Sequence, residues 1–297
     1  MRMAEESFLM GVFRKMGWVR MAWSLRRMHC PVAPEALVLE VGSGGNPYAR
    51  SNVLLDAFES TQQRHWVPLV ADRPTVIGAV ECLPFRDKSF DFVIASHVLE
   101  HSAKPELFLN ELQRVARAGY IEVPDALMER LNPYRDHRLE ITLRDGKLVL
   151  RKKGNWLGDP ELVDLYEPRA KKWISGETIP KHPFDFHVRY YWNESINYIV
   201  KNPDVDSSWE ALTDIIPRRP TVGFRSTTHR WLQKIARTFL SQGRRNANLK
   251  LDALLACPEC RGDKLDVDAT RIRCESCQHD YPVRNGMPVM FSTAGRA

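Results

Sequence analysis

The sequence predicts an α/β protein: a mostly parallel, doubly wound sheet with crossover helices, an inserted or appended α+β region, and a small C-terminal domain. Three observations predict it. Short β-branched or apolar runs alternate with helical patterns between about residues 37 and 123, as strands joined by crossovers require. A glycine turn, Gly42-Ser43-Gly44-Gly45, follows the first such run at once, at the edge where open parallel sheets hold ligands. Two close cysteine pairs, Cys257 with Cys260 and Cys274 with Cys277, set the C-terminal end apart.

Taken in order, Phe8, Val12, Met16, Val19 and Trp23 share one face of a predicted N-terminal helix. Its other positions include Arg14, Lys15, Arg20, Arg26 and Arg27, and packing on the core is the expected use of the apolar face. Strands are predicted at Leu37–Val41, Val53–Leu55, Val76–Ile77, Phe92–Ala95 and Tyr120–Val123. Pro105, suited to a first helical turn, opens the helix "ELFLNELQRVAR", with Leu107, Leu112 and Val115 among its apolar residues. The stretch "ITLRDGKLVL", residues 141–150, predicts a hairpin, because Asp145-Gly146 suits the positive dihedrals of a tight turn. From about Asp125 to Asn248 the pattern is otherwise hard to assign, yet Trp156, Trp173, Trp192 and Trp209 point to an ordered region. The expected division is an amphipathic helical segment (1–34), a ligand-binding core (35–150), an accessory region with a basic amphipathic helix (151–250) and the cysteine-bearing domain (251–297).

A chain of 297 residues, 43% apolar and 27% charged, can bury a substantial core. No stretch reaches the roughly 18 uncharged apolar residues of a membrane span. Glu5, Glu6, Arg14 and Lys15 interrupt any signal-peptide core, so the cytoplasm is the expected compartment. Six cysteines, four of them in the C-terminal pairs, fit a metal site better than a secreted disulfide framework. Cys30 and Cys82 are expected to pack as small hydrophobes.

The net charge of +6 is unevenly placed, because nine Lys/Arg and no acid lie between Ile215 and Leu251. Within that run Trp231, Ile235 and Phe239 recur every four residues, which puts them on one helical face. Two uses stand side by side: a solvated helix docking on the core, or a surface contacting phosphates or an anionic membrane.

Dinucleotide sites use G-x-G-x-x-G and aim a helix at a pyrophosphate, which this turn does not match. Glu40-Val41-Gly42-Ser43-Gly44-Gly45-Asn46 instead resembles the acidic-x-G-x-G-x-G motif of class I S-adenosylmethionine-dependent methyltransferases, with Asn46 at the last glycine position. Asn tolerates the left-handed region. A ligand without phosphate also tolerates a shortened helix behind the turn. Asp56, ending the second strand, matches the family's acid that accepts hydrogen bonds from both ribose hydroxyls. "GAVECLPFRDKSFDFVIASHVLEH", residues 78–101, is similar to the family's LPF and SFD stretch. The resemblance covers about residues 35–124. It implies S-adenosylmethionine as cofactor, held by Glu40, Gly42, Ser43, Gly44, Asp56, Val80, Glu81 and Ser96. Ala79 stands where the family often has Asp for the adenine amino group, so the adenine contact must come from the backbone, Glu81 or elsewhere.

Methyl transfer from a sulfonium is an in-line displacement that alignment accelerates, so a general base is optional. By the same resemblance Ser96, His97 and His101 face the transferred methyl. His97 is the candidate catalytic residue, either shaping the pocket, which is favoured, or taking a proton. The chain lacks the N/D-P-P-Y/F tetrad that accompanies exocyclic-amine and glutamine acceptors. Asp136, His137 and Arg138, and His182, Asp185 and His187, line a substrate site or cap loops, and capping is preferred.

Cys257-x2-Cys260 and Cys274-x2-Cys277 form two thiolate knuckles able to close on one Zn²⁺, a structural ion since four cysteines leave no open position. His279 is surplus to that site. The setting "LLACPEC…CESC…YPVRNGMPVMF", about residues 251–291, resembles the small zinc-ribbon activator subunit that binds class I methyltransferases acting on tRNA, rRNA and translation factors. A nucleic-acid-binding ribbon is the other use of such a module. The two resemblances together imply a methyltransferase with its activator in cis, needing no separate activator subunit, with an RNA or translation-related acceptor. The alternatives are a saccharide or lipid-linked acceptor, or a non-catalytic cofactor-binding scaffold for RNA.

Overall fold

The computed structural model describes residues 3–61, 67–131, 133–156, 161, 168–210 and 241–293. Helices α1 (Phe8–Lys15) and α2 (Val19–Leu25) precede strands β1 (Val38–Val41), β2 (Val53–Asp56), β3 (Thr75–Ile77) and β4 (Phe90–Ser96). Helix α3 (Pro105–Val115) runs directly into β5 (Ala116–Pro124), followed by α4 (Ala126–Leu131), β6 (Leu139–Arg144), β7 (Lys147–Lys152), β8 (His187–Asn193) and β9 (Tyr198–Val200). A short α5 (Gly243–Ala247) leads to β10 (Leu265–Val267), β11 (Arg271–Cys274), β12 (Asp280–Arg284) and β13 (Met287–Pro288). The chain forms two compact units that do not follow chain order: the first holds residues up to 31, 96–105 and from 120 to the accessory region, the second holds 32–95, 106–119 and the C-terminal part.

In the second unit the strand order is β3-β2-β1-β4, all parallel. Leu39 stands opposite Val53 on one side and Val93 on the other. Every residue of β1, β2 and β3 is buried, which is why they read as mostly apolar runs, broken only by Glu40, Asp56 and Thr75, rather than as alternating ones. Each fully buried Leu or Val contributes about 1.5–3 kcal/mol of transfer free energy. Between β1 and β2 the chain makes turns and no helix, going further than the shortened helix expected from the sequence. Glu40 organises that connection, accepting hydrogen bonds from the Tyr48 amide at 2.8 Å and the Ser51 hydroxyl at 2.5 Å. The C-terminal strands form their own sheet in the order β10-β11-β12-β13, paired antiparallel.

Of the basic run, 211–240 with Trp231, Ile235 and Phe239 lies outside the described residues. Arg245 is described. Its guanidinium donates to the carbonyls of Pro34, Glu35 and Ala36, so this cation ties chain to chain rather than facing a polyanion.

In the first unit β5 and β8 are neighbours, and a separate sheet has the order β6-β7-β9. The β6–β7 hairpin turns on Asp145 and Gly146, at φ 49° and 72°, the left-handed pair its sequence predicts. The N-terminal helix departs from expectation. Gly17, at φ 77°, breaks it into α1 and α2, with Phe13 stacked on Trp18 at 5.6 Å. The predicted apolar face packs only in part: Phe8, 84% exposed, and Met16 are exposed, whereas Val12, Val19 and Trp23 are half-buried, with Trp23 edge-on to Phe184 at 5.1 Å; off that face Leu9, Trp18 and Met21 are exposed and Met10 and Ala22 buried. A left-handed glycine redirects the chain, so residues spaced for one helix no longer share one face. Among the described residues no helix is long and apolar enough to cross a membrane.

Candidate functional site

The glycine turn sits at the C-terminal end of β1. Gly42 and Gly44 adopt φ 64° and 57°, a region costly for residues with a Cβ. The Ser43 amide donates to Leu55 O, and the Gly44 amide donates to Asp56 Oδ2 at 2.9 Å. Asp56 also accepts from the Phe58 amide at 3.0 Å, so one carboxylate at the end of β2 clamps the turn and its own loop. Its oxygens offer about four lone-pair sites, leaving room for hydroxyl donors. Ser43 Oγ is buried and has no hydrogen-bond partner among the described residues, an orphaned group of the kind a polar ligand satisfies. After β3, Gly78 and Ala79 lead into the turn Val80–Cys82, where Val80 and Glu81 are half-buried. Glycine turn, Asp56, Val80 and Glu81 therefore belong to the second unit, while Ser96 and His97 belong to the first.

In the first unit a charge cluster surrounds Glu122 of β5, which is wholly buried. Arg26 donates to both its oxygens, at 2.7 and 3.1 Å. Ser96 Oγ donates at 3.0 Å and Tyr120 Oη at 2.6 Å. Burial alone would raise the Glu122 pKa, but His97 and Arg26 hold it well below the ordinary carboxylate range. His97 itself takes a left-handed φ of 58°. It stands 3.3 Å from Glu100 and 3.4 Å from Glu122. Burial opposes its charge, yet the hydrogen bonds to Glu100 and Glu122 outweigh burial and push its pKa up to about 9. An imidazolium has no free lone pair, so this environment favours a structuring cation over a base. His187 stacks edge-on against His97 at 5.4 Å. Burial, and then the His97 charge, bring the His187 pKa down to about 4. Arg189 donates to the hydroxyls of Tyr120 and Tyr191, both at 3.2 Å, and Tyr120 stacks on Tyr191 at 4.5 Å.

The sequence singles out Ser96 and His97; the structure gathers Glu122, Arg26 and Arg189 around them, none of which the sequence marks for a site. The available signal was Glu122 itself, a charge inside the apolar run "YIEVP" of a buried strand. His137 is buried against Glu129 at 2.7 Å, while the half-buried His187 meets the Pro183 carbonyl of its own loop at 2.8 Å. His182 and Asp185 remain exposed on a loop, 3.7 Å apart.

The four cysteines converge: their sulfurs lie within 4.8 Å of one another. Cys257 Sγ is 3.6 Å from Cys277 Sγ, and Cys260 Sγ is 3.5 Å from Cys274 Sγ. Tetrahedral Zn²⁺ with bonds of about 2.3 Å sets sulfurs roughly 3.8 Å apart, so the donor set and spacing fit that ion. The ribbon docks within the second unit by backbone pairing. Val289 bridges Ile77 of β3 in parallel, and the Met290 amide donates to Ile77 O at 2.7 Å. Phe85, of the LPF stretch, bridges Leu255 in antiparallel fashion, the Arg86 amide donates to Leu254 O, and the Ala256 amide to Pro84 O. Leu83, Phe85, Leu255, Ala256 and Met290 are all buried there. The Cys82 thiol, expected to act as a plain hydrophobe, donates to Pro258 O at 3.0 Å. A Cβ at Gly78 would come within 2.9 Å of Met290 O, so only glycine admits the ribbon so close.

The model of the methyltransferase domain family matches residues 39–121, and that of the Trm112p-like protein family matches residues 248–286. The UPF0434 protein of Hahella chejuensis is 42% identical over 48 residues, 16% of this chain and 80% of that protein. A complex between the Haloferax volcanii Trm112 methyltransferase activator and a methyltransferase aligns over 46% of this chain and 74% of that one, at 20% identity and a TM-score of 0.28. An S-adenosylmethionine dependent methyltransferase from Mesorhizobium loti aligns over 58% and 96%, at 11% identity and a TM-score of 0.33. By these matches the chain belongs to the UPF0434 family through its C-terminal segment, and it joins that Trm112p-like domain to a methyltransferase domain on one polypeptide.

Proposed function

We propose that this methyltransferase uses S-adenosylmethionine, methylates an RNA or translation-related acceptor, and carries its activator in cis as a zinc-bound ribbon. The observation that carries the cis-activator reading is the docking of the ribbon on the LPF stretch and β3, where main chain and apolar side chains are covered together. S-adenosylmethionine supplies an electrophilic methyl on a sulfonium. Asp56 would hold the ribose hydroxyls while keeping the glycine turn in place, and Ser43 Oγ would complete its hydrogen bonding on the cofactor. Glu40 keeps the turn in shape through Tyr48 and Ser51, and would contribute to the cofactor site from that position. Cys257, Cys260, Cys274 and Cys277 would hold Zn²⁺, whose role is to fold the ribbon.

The RNA acceptor is supported by the activator-like domain and by the basic run in the sequence. A lipid-linked acceptor is the second reading, favoured by one observation: the exposed Phe8, Leu9, Met16, Trp18 and Met21 lie along helices α1 and α2 and the turn between them, together with Arg14, Lys15 and Arg20. Incubation with methyl-labelled cofactor and fractionated cell extract tests both. Label in the RNA or translation-factor fraction supports the first reading, and label in the lipid fraction replaces it.

A further inference from the structure

A second set of metal-ligating side chains lies in the first unit, apart from the cysteines. Glu100 and His101 occupy the turn Leu99–His101 after β4, and His137 precedes β6. One ligand atom from each lies within 4.8 Å of the other two. The rings of His101 and His137 stand nearly perpendicular, at 87°, with centroids 4.7 Å apart.

Both rings are oriented as metal ligands are. His137 Nδ1 lies 2.7 Å from Glu129 Oε2, and His101 Nδ1 lies 3.2 Å from the Asp136 carbonyl. A carbonyl or carboxylate accepts, so Nδ1 carries the proton and Nε2 keeps the lone pair that a metal needs. Glu129 is itself fixed, by Lys153 Nζ at 2.6 Å and by the Tyr134 amide at 3.2 Å. Glu100 is 2% exposed, and His97 meets only one of its oxygens, Oε1, at 3.3 Å, which leaves Oε2 without a hydrogen-bond partner among the described residues. Burying a carboxylate this way is costly unless a positive group completes its shell.

We propose that Glu100, His101 and His137 bind a divalent first-row transition metal, with one coordination position left open. Two imidazoles and one carboxylate suit borderline ions such as Zn²⁺ or Co²⁺ rather than Mg²⁺. Three protein ligands are the number that metal sites keep when the fourth position takes water or an exchangeable oxygen ligand. The site stands independently of which acceptor the enzyme methylates.

The test is metal stoichiometry on the full chain, equilibrated with Zn²⁺ and freed of excess by gel filtration. The unmodified chain should hold two ions, and His101→Gln, His137→Gln and Glu100→Gln should each hold one. The Co²⁺-loaded chain gives an independent readout that needs no variant: beyond the intense thiolate-to-metal absorption of the cysteine site, a second equivalent should add only weak d–d bands. A single ion in the unmodified chain with no such second component overturns the proposal. So does a second ion that all three glutamine variants retain.

Discussion

Arg261 of the ribbon donates to both oxygens of Glu111 on α3, at 3.0 and 2.9 Å, and Arg114 grips the same carboxylate from its own helix. Glu111 also accepts the Leu83 amide at 2.7 Å, so one nearly buried charge joins α3, the LPF stretch and the ribbon. The two arginines are unequal. Arg261 also reaches the Leu83 carbonyl, at 3.1 Å, but is 40% exposed and screened, whereas Arg114 is 19% exposed and donates to both the Leu83 and Phe85 carbonyls. Arg261→Ala should therefore cost about 1 kcal/mol or less, and Arg114→Ala about 2–3 kcal/mol, in urea unfolding. Equal losses would refute this hierarchy.

Glu122 is a more deeply buried charge, and its partners are all cationic or hydroxylic. Glu122→Gln leaves Arg26 without its anion and should cost about 3–5 kcal/mol. The sign of its pH dependence follows from its depressed folded pKa, below the ordinary 4.5. Its stabilisation is fully present above that value and is lost as pH falls through the folded pKa. Urea unfolding at neutral and at acid pH should show the gap between the unmodified chain and Glu122→Gln narrowing only in strong acid. A gap that closes already at neutral pH contradicts the assignment.

Asp56 has two expected duties, and they can be separated. Asp56→Ala removes charge-assisted hydrogen bonds worth about 1.5–3 kcal/mol, so S-adenosylmethionine affinity should fall at least tenfold by calorimetric titration. Asp56→Asn keeps an acceptor for the Gly44 amide but halves the acceptor capacity for ribose hydroxyls, and should fall between the two. Unchanged affinity in both variants removes Asp56 from the cofactor site.

The parallel sheet was legible because strands buried on both faces are mostly apolar, as Val38–Val41 and Val53–Asp56 are apart from the acids Glu40 and Asp56. The hairpin was legible because Asp145-Gly146 encodes its own dihedrals. What escaped depends on distance along the chain. Arg26 and Glu122 meet across 96 positions, and no local pattern announces that pairing. The pairing of Glu100 and His101 with His137 is equally silent, since each alone resembles a loop residue. The break at Gly17 was misjudged because a four-residue apolar period survives across it in sequence but not in space. Gly78 gave no warning either, because what excludes a side chain there is a carbonyl more than two hundred residues away in the chain.

The ribbon covers what the methyltransferase domain cannot afford to expose. Within the second unit Ile77 of β3 takes its partner from Val289 and Met290, and Leu83 and Phe85 are buried beside Leu255 and Ala256. Removing residues 251–297 would bare an unpaired strand edge next to large apolar side chains, a template for aggregation. The truncated chain should be poorly soluble and inactive. Cys257→Ser with Cys260→Ser should behave alike through loss of zinc, because ribbon folding and metal binding are one equilibrium. Gly78→Ala is the subtler version: its new Cβ meets the Met290 carbonyl at 2.9 Å, so stability should fall by about 1–3 kcal/mol while zinc content stays unchanged. Supplying the ribbon as a separate chain should restore solubility and methyl transfer to the truncated protein, since the contacts it makes are packing and main-chain pairing rather than chemistry. A truncated protein that remains monomeric, soluble and fully active would show that the ribbon serves substrate binding instead.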